Sequence, residues 1–369
     1  MENWYNISNV HAIDTPALII YGDRVKENIS QLLNAVPDAE RLRPHIKTHK
    51  SPDITQMLLE AGIRKFKCAT IAEAEMLALA GAPDVLLAYQ PVGPRIERLA
   101  RLVQQYPDTT FSCLLDNIDT ANQLNAAMLR IHHCLPVYLD LNVGMNRTGI
   151  NPGIEAVELF EGIKELNGLL PIGLHAYDGH IRDQDITVRK GKCDAAFEPI
   201  QKLRKELAAK GNTDLAVIAG GSPTFPIHAQ RPEVECSPGT FIYWDKGYND
   251  LLPEQPFKFA VLVISRIVSI PADDMICTDL GHKAIASENP LHKRVFFLNA
   301  PDIEPVAHSE EHMIWKTSGK NTFKVGDVLY GVPYHVCPTC ALYGEAFIVS
   351  NNKVLDVWTL DARNRKIRI

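Results

Sequence analysis

The sequence predicts an α/β protein, a (β/α)8 barrel followed by a β-rich domain. Two observations carry this. Between residues 42 and 243 eight short aliphatic or β-branched runs alternate with helical patterns, and after Pro253 and Pro256 the texture turns to segments rich in Val and Ile. Strand then helix, repeated, calls for parallel pairing, and eight such units in this span fit a closed barrel better than an open sheet.

The eight runs are LRPHIK, KFKCAT, DVLLAY, TFSCLL, PVYLDLN, PIGLHAY, LAVIAGG and VECSPGTFIY. The segments between them carry helix ends. Ser51 reads as a cap with Pro52 at the first helical position, and Thr70 with Glu73 reads as a capping box on a helix stopped by Gly81. Beyond Pro256, FKFAVLVISRIVSI, AFIVSNNKVLDVWTL and KIRI read as strands, with NNK as a hairpin turn and residues 271 to 322 mostly as loop. The expected domains are 15–250 for the barrel and 251–369, with 1–14, for the β domain that carries the metal site described below.

Composition narrows the function classes. With 46% hydrophobic and 22% charged residues the chain can bury a conventional core, which excludes disorder. Its 38 Lys and Arg against 44 Asp and Glu give a net charge of −6 with no basic block, so nucleic acid is not expected as a partner and a small molecule is. The opening MENWYNISNVHAIDTP has no leader pattern and no run approaches the ~20 apolar residues of a membrane span, so a cytoplasmic protein without a membrane partner is expected. Eight scattered cysteines suit reduced thiols rather than a disulfide framework.

In a barrel of this kind chemistry sits at the C-terminal ends of the strands. Strand one runs into Arg43-Pro44-His45-Ile46-Lys47-Thr48-His49-Lys50. A Lys desolvated at a barrel mouth has a depressed pKa and forms Schiff bases, although the octapeptide alone leans to a solvated basic turn. Strand seven ends in Ala219-Gly220-Gly221-Ser222-Pro223-Thr224 and strand eight in Ser237-Pro238-Gly239-Thr240, small-residue turns whose amides and hydroxyls suit a phosphate. The loop Gly144-Met145-Asn146-Arg147-Thr148-Gly149 brings Arg147 to the same mouth, where it could bond a phenolate or carboxylate. Strand six offers His175 and Tyr177 on one face, His175 reading as a packed interior residue.

In the β domain, Pro333-Tyr334-His335-Val336-Cys337-Pro338-Thr339-Cys340 places His335 and Cys337 two apart on a segment read as extended, pointing the same way. Imidazole with thiolate favours Zn²⁺ over Mg²⁺ or Mn²⁺, and two protein ligands leave positions open for water or substrate. Buried structural thiols and a Cys337–Cys340 redox pair are the alternatives; the β-rich surroundings argue against the latter.

Together these motifs resemble the D-threonine aldolase and D-serine dehydratase family, pyridoxal-phosphate enzymes of the alanine racemase fold type, and the match runs in order along nearly the whole chain. The resemblance implies pyridoxal 5′-phosphate on Lys47, its phosphate held by Gly221, Ser222, Gly239 and Thr240, Arg147 facing its phenolic oxygen and Tyr177 beside it. It implies a divalent metal on His335 and Cys337, zinc with manganese as the alternative, touching the β-hydroxyl of a D-amino acid. It also implies a homodimer in which the β domain of one subunit closes the barrel mouth of the other.

On that pattern Lys47, displaced by substrate, becomes a base, and a metal on the β-oxygen serves either cleavage between Cα and Cβ or β-elimination. Cys337 stands where aldolases of the family carry Asp, which leans the expectation to a dehydratase acting on D-serine or 3-hydroxyaspartate, with D-threonine-type aldol cleavage as the alternative. Ser237 in place of the racemases' Arg speaks against racemisation, and the β domain with its His335 and Cys337 speaks against a non-catalytic pyridoxal-phosphate carrier. His180, Arg182 and Tyr334 are candidate substrate contacts.

Overall fold

A computed structural model of the chain describes residues 3–319 and 321–369. Its contacts divide into two units. One holds the N-terminal residues through Leu32, Thr48–Ser51 and Thr240–Arg363; the other holds Leu33–Lys47, Pro52–Gly239 and Asn364–Ile369.

The first strand, β1 (Ala17–Tyr21), lies in the former unit, and the next seven form the barrel: β2 (Lys65–Cys68), β3 (Asp84–Leu87), β4 (Thr110–Leu115), β5 (Leu135–Asp140), β6 (Leu169–Ala176), β7 (Ala216–Ala219) and β8 (Val234–Cys236). Each is parallel to the next. The LRPHIK run closes the ring, since Leu42 bridges Cys236 of β8 and His45 bridges Lys67 of β2, both in parallel. Pro44 has no amide hydrogen, so this eighth staff contributes single bridges rather than a ladder; its carbonyl still accepts from Lys67 N at 2.9 Å.

The helices start where the sequence places them. The helix Pro52–Glu60 opens on its proline, and in Ile71–Leu79 the Thr70 hydroxyl accepts from Glu73 N at 3.1 Å while the Glu73 carboxylate reaches back to Ala69 N at 2.6 Å. In Pro94–Gln105 the buried residues Ile96, Leu99, Ala100 and Val103 follow helical spacing and turn one face inward. Inside the barrel Leu86, Leu114, Tyr138 and Ile218 pack together. Beside them Arg43, 1% exposed, forms a two-pronged bond to Asp84 at 2.6 and 3.0 Å and a third to Glu235 at 2.8 Å. The arginine of the RPHIK motif is therefore a strut of the barrel.

The β-rich unit adds β9 (Val261–Ala272), β10 (Met275–Thr278), β11 (Val295–Phe297), β12 (Glu304–His308), β13 (Met313–Lys316), β14 (Val328–Pro333), β15 (Glu345–Ser350) and β16 (Lys353–Thr359). The strand order is β12-β13-β10-β9-β1-β15-β16, with β14 pairing β9 and β11. β1 pairs antiparallel to β9 and parallel to β15, and all five of its residues are buried. Whereas the sequence places residues 15–32 with the barrel, this strand is an interior strand of the β-rich sheet, paired on both sides. The NNK hairpin is present, with Asn351 and Asn352 both at positive φ, as a tight two-residue turn demands.

Residues 271 to 322 have the high loop content that the sequence suggests, with the short strands β10 to β13 set among the loops. One expectation is corrected. KIRI is not a strand; the amides of Arg368 and Ile369 donate instead to the buried Glu75 carboxylate of the barrel unit at 3.1 to 3.2 Å. Among the described residues no helix is long and apolar enough to cross a membrane.

Candidate active site

The ring of Tyr177, just past β6, is the hub of the barrel mouth. The Arg147 guanidinium lies 4.8 Å from its centroid and the Lys67 ammonium 5.7 Å. The Gly221 backbone comes so close that a Cβ there would stand 2.9 Å from Tyr177 Cε2, so only glycine admits the contact. Two loops and the strand β2, far apart in sequence, thus converge on one side chain. Lys47 sits in the single turn Ile46–Thr48, its amide donating to His45 Nδ1 at 3.2 Å, and its charge acts on Lys67.

Lys67 was not among the expected site residues. It is 2% exposed, and its ammonium donates to the Ser237 hydroxyl, which in turn donates to the Gly220 carbonyl at 3.0 Å. Burial, reinforced by the positive charge of Lys47, pulls its amine down to about 7, against the opposing pull of Asp140 and Asp178. The signal in the sequence is the KFKC alternation, which puts Lys67 on the face opposite Phe66 in a strand whose neighbours are apolar.

Asp140 and His175 form a second buried pair, Oδ1 to Nδ1 at 2.7 Å. Burial alone would raise the Asp140 carboxyl, but the His175 bond and the Arg147 charge hold it below its ordinary range, while burial keeps the imidazole below its own. The carboxylate therefore accepts from Nδ1–H, and the neutral ring presents Nε2 as an acceptor. That nitrogen is buried and meets no protein partner among the described residues. An orphaned ring nitrogen, a cation-flanked tyrosine and a glycine turn suit an anionic aromatic ligand such as pyridoxal phosphate.

Of the remaining expected anion contacts, Ser222 is buried beside Gly221, and Gly239 follows Pro238, whose carbonyl accepts from His45 N at 3.0 Å. Thr240 falls in the β-rich unit, where it opens the turn Thr240–Ile242. His180 and Arg182 lie exposed after β6; a Cβ on Gly144 would be 3.2 Å from His180 Nε2, and Arg182 Nε donates to Gly179 O at 2.8 Å. Tyr334 belongs to the β-rich unit, its ring 5.6 Å from the Lys246 ammonium.

The His335–Cys337 pair is not extended. His335 precedes the short helix Val336–Cys340, and Asp245 fixes that start by accepting from Val336 N at 3.1 Å. The two side chains still meet, hydrogen-bonded to each other, and His335 Nδ1 lies 2.5 Å from Glu288 Oε1. Burial would lower the imidazole, but Cys337, Glu288 and the charge of Asp245 lift it to about 9. Such an excess of anionic partners around one imidazole suits a divalent cation held by His335 Nε2 and Cys337 Sγ, with Glu288 orienting the ring. Cys337 Sγ also lies 3.1 Å from the Thr48 hydroxyl and 3.7 Å from that of Thr240.

The Cys337–Cys340 motif does open a helix after a strand, contrary to the expectation from its surroundings. None of the eight cysteines is in a disulfide, and Cys340 is fully buried with its thiol pushed well up by burial, which makes it unreactive.

A family model described as the N-terminal domain of alanine racemase matches residues 20–246. The chain belongs to that family. A second model, described as a putative serine dehydratase domain, matches residues 260–349. D-threonine aldolase of Arthrobacter sp is 27% identical over 359 residues, covering 95% of this chain and 93% of the relative. The 3-hydroxy-D-aspartate aldolase of Paracoccus denitrificans is 27% identical over 368 residues, covering 96% and 93%. D-threo-3-hydroxyaspartate dehydratase of Delftia sp. is 25% identical over 278 residues, covering 71% and 69%. The crystal structure of D-threonine aldolase from Filomicrobium marinum superposes with a TM-score of 0.88 at 26% identity over 95% of each chain.

Proposed function

We propose that this member of the family is a lyase dependent on pyridoxal 5′-phosphate and a divalent metal, acting on a β-hydroxy D-amino acid. The observation that carries the reading is the convergence of Arg147, Lys67 and Gly221 on the ring of Tyr177, beside the neutral His175. Lys47 would hold the cofactor, Gly221, Ser222, Gly239 and Thr240 its phosphate, Arg147 its phenolic oxygen and Tyr177 its flank. His335 and Cys337 would hold the metal, zinc before manganese.

Between them the two groups supply an electron sink for the bond broken at Cα and Lewis acidity at the β-oxygen. The rest is done by the chain. Lys47, once its amine is free, takes or returns a proton at Cα. His175 is kept neutral by burial and aimed by Asp140, so it accepts a hydrogen bond without adding a positive charge. Glu288 fixes the face that His335 presents, and the Thr48 hydroxyl steadies the Cys337 sulfur.

Dehydration of a D-serine- or 3-hydroxyaspartate-type substrate is the leading reaction, on the strength of the thiol at position 337. Aldol cleavage is the second reading, favoured by the two aldolases at 27% identity. Incubation with D-serine, D-threonine and 3-hydroxyaspartate, with Zn²⁺ or Mn²⁺ and an EDTA control, separates them: a 2-oxo acid with ammonia means dehydration, glycine or glyoxylate means carbon–carbon cleavage. No metal-dependent product from any of the three would defeat both. The working unit in this reading is a homodimer, which light scattering of the active protein checks.

A further inference from the structure

Among the described residues, Asp178, Cys193 and His228 in the barrel unit are grouped closely enough to hold a metal ion. His228 Nε2 lies 2.9 Å from Asp178 Oδ2 and 3.4 Å from Cys193 Sγ, and Cys193 Sγ lies 3.6 Å from Asp178 Oδ2. A fourth residue decides against a cation. Arg231 Nη1 lies 2.6 Å from His228 Nδ1, and a guanidinium is always a donor, so Nδ1 must be the acceptor and Nε2 must carry the ring proton. A metal on Nε2 would need the opposite tautomer, with two N–H groups facing each other.

With the tautomer fixed, the direction of every bond follows, and they converge on Asp178 from two sides. Arg231 donates to His228, and His228 Nε2–H donates to Asp178 Oδ2. The Thr224 hydroxyl donates to Asp178 Oδ1 at 2.7 Å and accepts from Gly221 N at 3.3 Å. Burial would raise the Asp178 carboxyl, but the His228 and Thr224 bonds hold it below its ordinary range, so it is the anionic acceptor this chain of bonds requires. Burial pushes the Cys193 thiol up to about 12, leaving a neutral S–H beside the same oxygen. His228 also touches the turn directly: Gly220 has φ +80°, and a Cβ on it would stand 2.7 Å from His228 Cδ2. The far end is tied down as well, because Arg231 Nη2 bonds Asp194 Oδ1 at 2.5 Å and its guanidinium lies 4.2 Å from the centroid of the Phe197 ring.

We infer that Arg231, His228, Asp178 and Thr224 form a positioning relay, which sets the aim of the Gly220–Gly221 turn toward the phosphate of its cofactor. The inference rests on the pyridoxal-phosphate reading and deepens it. Thr224 and His228 grip the turn from two sides, one by a hydrogen bond to the Gly221 amide and one by contact with the Gly220 α-carbon, and Asp178 couples the two grips. None of the four need touch the ligand.

The test compares pyridoxal 5′-phosphate with pyridoxal, which lacks only the phosphate. Dissociation constants for both are measured on full-length protein stripped of cofactor, from the absorbance of the bound chromophore, for wild type, Asp178→Asn, Thr224→Val, Thr224→Ser and His228→Phe, each with its Tm. The expected result is that wild type prefers the phosphorylated form. Thr224→Val and Asp178→Asn cut that preference by about tenfold or more, the worth of one well-placed hydrogen bond, while pyridoxal binds as before. Thr224→Ser keeps the preference, and His228→Phe, which retains ring contact but no donor, falls with Asp178→Asn. An undiminished preference in Thr224→Val, the isosteric change least able to disturb folding, overturns the relay. If wild type binds the two compounds alike, or neither, the phosphate reading itself has failed, and the relay with it.

Discussion

The ammonium of Lys67 hydrogen-bonds the hydroxyl of Ser237 inside the barrel, joining β2 to the turn after β8 through a buried cation. Its amine is held at about 7 in the folded protein against an ordinary 10.5, chiefly by burial. The unfolded chain therefore binds more protons between those values, so this group's contribution to stability rises with pH across that window. Above about 9 the buried thiols Cys193 and Cys236, both raised, begin to act the other way. Lys67→Met should thus be stabilised most relative to wild type near pH 6, and its Tm advantage should shrink by pH 8.5. A gap that stays constant over that range would show that Lys67 keeps its proton throughout.

Arg43 gives a prediction about stability alone. Its removal would take the fork from Asp84 and leave Glu235 with Lys65, which bonds it at 2.9 Å. Arg43→Ala should cost about 3–5 kcal/mol in urea unfolding, the range for breaking a buried ion pair. Arg43→Lys should recover little, since a point charge cannot reproduce the fork to Asp84. A loss below about 1 kcal/mol for Arg43→Ala would mean the pair is no strut.

The likeness between sequence and structure follows what each residue depends on. Lys47, Arg147 and the Gly220–Gly221 turn were legible because strand-end chemistry in a barrel is local: a cation or a glycine pair at the end of an apolar run announces its own position. β1 was not legible, because ALIIY is apolar throughout and reads alike in either unit; only its partners in β9 and β15 decide. The helical start at Val336 depends on Asp245, 91 residues away, whose carboxylate accepts from the Val336 amide. The Arg231 relay was hidden for the same reason, since Asp178 lies 46 residues from the Thr224 and 50 from the His228 that it joins.

Glu288 is the residue beside the His–Cys pair that the sequence left unmarked. As the acceptor that orients His335, Glu288→Gln should weaken zinc binding about 10- to 100-fold in a chelator competition, while Cys337→Ala should lose more. Zinc affinity unchanged in both variants would remove the pair as a metal centre.

The claim on which the rest depends is that Lys47 carries the cofactor. Borohydride reduction of the protein incubated with pyridoxal 5′-phosphate, then proteolysis and mass spectrometry, should place a single pyridoxyl group on the peptide containing Lys47 and abolish it in Lys47→Ala. A label on Lys67, the lysine buried in the barrel, or no stable label at all, would contradict the account.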